Sequence, residues 1–180
     1  MPAAKPEVGR WARFDYLARR VIEGWALLGG VLLVIIALMN TWSVTSLSLL
    51  GYPVPGDFEL VEMGVAVAAF TFLPFCQLTG ANVTADIFTA KASPVTVAAF
   101  TLIAAIVAAC FSVLLLWRMF DGMLSYLRYQ EVTTILNVPL WIVFPPILAS
   151  LALLVLAAAV TLHEAITKMR PGKSAQADLN

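Results

Sequence analysis

The chain is poor in charge, and the shortage is concentrated. Of its 180 residues, 12% are charged and 61% are hydrophobic, against about 25% and about 45–50% in an average soluble domain. Four stretches hold no charged residue at all: 24–56, 63–85, 92–117 and 132–162. Each is dominated by Leu, Val, Ile, Ala and Phe, and each approaches or exceeds the roughly 20 residues that a bilayer-spanning helix needs. A soluble helix shows a polar face. These stretches show no charged one, which argues against a soluble all-α domain.

Residues that carry chemistry are equally scarce. There is one histidine, His163, and two cysteines, Cys76 and Cys110, both inside apolar stretches. Haem held between helices takes paired axial ligands, and a structural zinc site takes about four Cys, His or acidic ligands. A lone His163 beside Glu164 reads as a helix-end residue, and the two cysteines read as small buried hydrophobes. No phosphate-binding glycine loop and no Ser-His-Asp pattern is visible, so no cofactor and no enzyme activity are expected. A self-sufficient transporter carries ionisable groups at mid-membrane or broken helices in matched halves. Here Asn40 and Gln77 lie near span ends, and only Pro74 interrupts a span.

What remains is an all-α integral membrane protein, read as a single membrane domain over 1–180. Spans are expected at about 23–44, 58–79, 95–117 and 139–163. The first hydrophobic run exceeds the ~7–15 residues of a signal-peptide core and lacks a small-x-small cleavage site, so it reads as a retained span. Lys5, Arg10, Arg13, Arg19, Arg20, Lys91, Lys168, Arg170 and Lys173 fall on one side of this topology, nine of the eleven basic residues. Arg118 and Arg128 fall on the other. The positive-inside rule then makes both termini cytoplasmic.

Residues 10–22 place Trp11, Phe14, Ala18 and Val21 at helical spacing among four arginines. This predicts a short amphipathic helix lying in the plane of the inner leaflet, with continuation of span 1 as the alternative. Trp11, Phe14, Trp25, Trp42 and Trp141 are expected as interfacial anchors. The tail, 171–180, is polar and expected to be disordered. The loop holding Gly51, Pro53, Pro55 and Gly56 should turn. Pro74 should kink span 2 near its inner end. Pro94 suits the first turn of span 3. Past Trp117, Arg118, Asp121, Ser125 and Arg128 share one side of a helical projection, so that helix either continues or turns into the outer interface. Pro145-Pro146 should make the start of span 4 irregular.

Glu59 and Glu62 share a face at the outer start of span 2, where the helix dipole favours acids by roughly 0.3–1 kcal/mol. They are candidates for contact with a basic group on a partner subunit. Asp86, on the inner side, reads either as a loop acid or helix cap or as a second partner contact, and Gln77 and Asn82 are further candidates for the partner-subunit interface.

Three segments bear a family resemblance. Span 2 opens Phe58-Glu59-Leu60-Val61-Glu62. Its end reads Phe72-Leu73-Pro74-Phe75-Cys76-Gln77 and then Gly80-Ala81-Asn82-Val83-Thr84-Ala85-Asp86. Span 4 is approached through Thr133-Thr134-Ile135-Leu136-Asn137-Val138-Pro139-Leu140-Trp141. In this, and in length and span number, the chain resembles the small, four-span membrane subunit of TRAP transporters, the DctQ-like family. Asn82 stands where that family usually has histidine and Ala85 where it usually has valine, while Gly80, Val83 and Asp86 fit.

The resemblance implies a scaffold subunit in a tripartite, binding-protein-dependent, sodium-coupled transporter for organic acids in the bacterial inner membrane. Its partners would be a large multispan permease subunit, a periplasmic solute-binding protein and membrane lipids. The resemblance also implies that the substrate site lies in other chains. The outer Tyr52-Pro53-Val54-Pro55 loop is a further candidate for meeting the binding protein. Other readings of the same chain are a membrane anchor for a redox or other enzyme complex, and a small independent channel or exporter.

Overall fold

The computed structural model describes residues 8–80 and 94–169, with side chains over 13–80, at 97 and over 99–167. Asn82, Asp86, the Trp11 side chain and the tail 171–180 lie outside those described residues. The described residues form four long helices: α1 (Val8–Leu50), α2 (Asp57–Thr79), α3 (Pro94–Tyr129) and α4 (Phe144–Met169), with a 3₁₀ turn at Leu140–Val143. All four are long and apolar enough to cross a membrane. Among the described residues there is no strand, only an isolated antiparallel bridge between Val132 and Pro139.

The 43 residues of α1 extend about 65 Å at 1.5 Å per residue, twice the ~30 Å hydrocarbon thickness. The stretch expected as a separate in-plane helix, 10–22, is the opening of α1, with no break where the span begins. The reason lies in sequence and packing together. No proline or turn signal separates the two, and one buried face, Ala18, Ile22 and Ala26, runs across the junction. The end of α1 falls at Gly51, whose φ of 83° is the left-handed cap that glycine tolerates best. Its N–H returns to the Leu47 carbonyl at 3.1 Å.

α3 also runs longer than its expected span, reaching Tyr129 and not Trp117. The charged residues past Trp117 thus lie on a continuous helix. The approach to α4 is irregular as Pro145-Pro146 suggested: four residues of 3₁₀ helix precede Phe144. Both prolines then fall in the first turn of α4, where a missing N–H is harmless.

α4 is the central element. It packs against α2 on one side and α3 on another, while α1 packs mainly against α2 and touches α4. Ile147, Leu151 and Leu154 form the core. Val67, Phe70 and Leu73 of α2 close on it from one direction, and Leu115, Leu116 and Met119 of α3 from the other. The α1–α2 contact is built differently, from small residues. Gly29 lies against Thr71 and Ala68, and Gly64 against Ile36. Small side chains let membrane helices approach closely where no hydrophobic drive separates protein from lipid.

The outward faces are apolar. Leu27 is 72% exposed, Leu49 78% and Phe58 75%. In water these would form extended apolar patches, so the fold needs a lipid surround. The buried polar groups Ser43, Ser46, Thr71, Ser112, Thr133 and Ser150 all carry hydrogen bonds, as a low-dielectric setting requires.

Candidate functional site

The densest polar construction is at the end of the bundle where the α1–α2 loop and the α3–α4 loop meet the first turn of α2. Ser43, fully buried near the end of α1, donates a short hydrogen bond to the Asp57 carboxylate and accepts the Val54 N–H at 3.0 Å. Ser46 donates to the Tyr52 carbonyl at 2.8 Å. Asp57 also accepts the Phe58 N–H at 2.7 Å, satisfying one of the unpaired donors of a helix start. The loop from Gly51 to Gly56 is thereby tied down onto α1.

The second loop is folded on itself. The Thr133 N–H meets the Val138 carbonyl at 2.9 Å, and the Leu140 N–H meets the Glu131 carbonyl at 3.0 Å. The Val138 N–H reaches the Thr133 hydroxyl at 3.1 Å. Asn137 turns the chain with φ of 53°, a left-handed conformation that asparagine adopts more readily than most.

Glu59 joins this loop to α2. One carboxylate oxygen accepts the Ile135 N–H at 2.7 Å and the other the Leu136 N–H at 3.0 Å. A carboxylate bonded to two successive N–H groups is a strong, directional acceptor pair. Beside it the Leu136 side chain sits where a Gly56 Cβ would be, with Leu136 Cδ1 and Cδ2 2.7 and 2.8 Å from that position. Gly56 also has φ of 71°. Glycine is therefore required there twice over, for backbone conformation and for room.

The remaining expected site residues are distributed. Glu62 is exposed on α2, with no ion pair among the described residues. Gln77 donates from Nε2 to Thr161 Oγ1 at 3.2 Å and so links α2 to α4. The Trp25 indole N–H donates to Ser150 Oγ at 2.9 Å and links α1 to α4. Trp42, at 64% exposure, faces outward, Trp141 is at the margin of exposure, and Phe14 is half-exposed beside α4. Among the expected site residues, then, Glu59, Gln77 and Trp25 are engaged inside the chain, and Glu62 and Trp42 point away from it.

The opposite end of the bundle carries its own tie. Arg19 bonds Glu164 at 2.6 Å across to α4 and Asp15 at 3.2 Å along α1. Beside this pair a largely apolar groove of about 300 Å³ runs between Phe14 of α1 and Leu156, Val160 and His163 of α4. Among the described residues no group of three or more His, Cys, Asp or Glu is placed to hold a metal ion.

Sequence reasoning missed Ser43, Asp57, Gly56 and Leu136 as members of this loop construction. A Gly-Asp pair opening a helix is a signal for a cap. Its link to a loop some 80 positions later has no local signature.

No curated protein and no solved structure matches this chain. A family model does, over residues 36–168, from the middle of α1 almost to the end of α4. It describes the DctQ component of tripartite ATP-independent periplasmic transporters. The match takes in the Glu59 clasp, the loop it holds and most of the four-helix body. The chain belongs to the DctQ family.

Proposed function

We propose that this protein is the small membrane subunit of a sodium-coupled, binding-protein-dependent transporter for organic acids, and that it serves as a scaffold for the large permease subunit in the bacterial inner membrane. The observation that carries this reading is the family match over most of the helical body. The scaffold role draws support from how the helices are fastened. α4 is linked to α1 through Trp25–Ser150 and Arg19–Glu164, and to α2 through Gln77–Thr161. The outer loops are pinned by Glu59 and Ser43. A body tied at both ends and in the middle suits a fixed element against which another subunit moves.

In this reading the chain is one membrane domain with both termini cytoplasmic, a topology supported by its lysine and arginine distribution. Trp42 and Trp141 set its depth. Glu62 meets the partner directly, and Glu59 organises docking through the loop it holds. Asp86 and Asn82 are proposed contacts on the inner side. A solute-binding protein delivers substrate on the outer face, near the loop of Tyr52 to Pro55.

Reconstitution tests this. The chain should co-purify with a large multispan subunit. Proteoliposomes holding both, with the binding protein supplied outside, should take up organic acid when a sodium gradient is imposed. Uptake by this chain alone would overturn the proposal, and uptake indifferent to sodium would remove the coupling assignment.

A further inference from the structure

One charged feature of α3 is absorbed neither by the fold nor by the outer clasp. Arg118, Asp121, Ser125 and Arg128 follow one another at three- and four-residue spacing and all are exposed. They occupy the face of α3 turned away from α4, since Ser112, Leu115, Met119 and Tyr126 make the buried or half-buried face.

Neighbouring contacts set the depth of this stripe. A Cβ on Gly122 would lie 3.4 Å from the Phe144 ring, and the Tyr126 ring centroid is 5.1 Å from that of Phe144. One to two turns further in, Leu115 and Leu116 pack on the cluster of Ile147, Leu151 and Leu154. Arg118 lies between these two levels. It is therefore deeper than Phe144, the first residue of α4, and deeper still than Trp141. The same α4 cluster packs against Val67 and Phe70, so Arg118 also lies inside the first turns of α2.

A guanidinium at that level has few acceptors. Arg118 is paired with Asp121 at 3.5 Å through one nitrogen, and the two side chains are 68% and 62% exposed. Guanidinium has five N–H donors, and this contact engages a single nitrogen. Counting Arg128, the stripe carries two positive charges against one negative. Ionisable groups within membrane spans pair with one another or face protein and not lipid.

We infer that this stripe is a docking face for a transmembrane helix of the large transport subunit, and that the helix presents a carboxylate to Arg118. The inference rests on the function proposed above. It adds which helix faces the partner and with what chemistry. α3 suits the role, since among the described residues its packing partners are α4 and the 3₁₀ turn before it.

The test is co-expression of the tagged chain with its large subunit. Arg118→Leu combined with Asp121→Leu should leave the lone protein helical and monodisperse in detergent. Recovery of the large subunit should fall roughly tenfold or more, as for a charge contact removed from an interface. Photo-crosslinking from position 125, in an otherwise unaltered chain, should yield an adduct with the large subunit. Undiminished recovery by the double variant would overturn the inference while leaving the proposed function standing. Should the double variant misfold, the crosslink decides alone: a protein adduct supports the inference. Adducts only with phospholipid, which long arginine side chains can reach, overturn it. Failure of the unaltered chain to bring down any large subunit would count against the proposed function itself.

Discussion

Replacing Gly29 with alanine probes the closest approach of α1 and α2. A Cβ there overlaps Thr71 Oγ1, lies 2.8 Å from Thr71 Cβ and lies 3.6 Å from the Ala68 carbonyl oxygen. Rotating Thr71 about χ1 moves its hydroxyl but leaves Cβ in place, and Ala68 is fully buried. Carbon atoms rest about 3.5–4.0 Å apart, so the helices must separate by roughly 1 Å at this crossing. Overpacking of this kind costs about 1–3 kcal/mol. Against it, alanine gains about 0.8–1.0 kcal/mol over glycine within a helix.

The adjacent residue supplies the reference. A Cβ on Gly30 meets nothing within 4 Å, so Gly30→Ala takes the helix gain without the clash. The two variants should therefore differ by about 1–3 kcal/mol, roughly 5- to 140-fold in the unfolding equilibrium. Reversible unfolding of the detergent-solubilised protein in SDS, followed by far-UV circular dichroism, measures the difference. Adding Thr71→Gly to Gly29→Ala removes both clashing atoms and should recover much of the loss. If Gly29→Ala proves as stable as Gly30→Ala, the close crossing of α1 and α2 is wrong.

Three other outcomes are expected. Glu59→Ala should speed hydrogen exchange at the Ile135 and Leu136 amides while the middle of α4 keeps its protection; unchanged exchange at those two amides would refute the clasp. Gly56→Ala should destabilise more than Gly80→Ala, since both residues have positive φ but only Gly56 faces the Leu136 side chain. The strain shared by both is about 1–2 kcal/mol, the crowding adds about 1–3 kcal/mol, and Leu136→Ala should relieve the second part only. Trp25→Phe should cost about 0.6 kcal/mol, the average for an interhelical hydrogen bond in a membrane protein, as read by the same SDS titration; a loss several times larger would mean that Trp25 does more than bond Ser150.

Much of the architecture was legible because lipid imposes a simple rule. A segment in hydrocarbon must satisfy its own backbone and carry few charges, so runs such as 63–85 and 132–162 identify helices directly. Glycine and proline marked the breaks for the same local reason: Gly51, Gly56 and Gly80 all take positive φ, and Pro94 opens α3. The boundary at residue 23 was not legible, because a basic amphipathic stretch looks alike whether it lies on a membrane or prolongs a span. Packing of Ala18 and Ile22 along the same face as Ala26 joins it to the rest of α1 in one continuous helix.

The sequence by itself determined the class of protein: four apolar helices, an acidic start to the second, scarcely any ligating side chains, and a resemblance to one transporter family. These are local properties, fixed by composition and by spacing along a single helix. Tertiary structure alone decided what the acids do and which faces are left open. Glu59 and Glu62 are three residues apart and look equivalent in sequence. One is bound to the backbone of a loop 76 positions away, and the other is exposed. Arg118 and Asp121 likewise became a candidate docking face only when α4 was found to cover the opposite side of α3. Such distinctions depend on which helices are neighbours and at what height, and no local pattern encodes that.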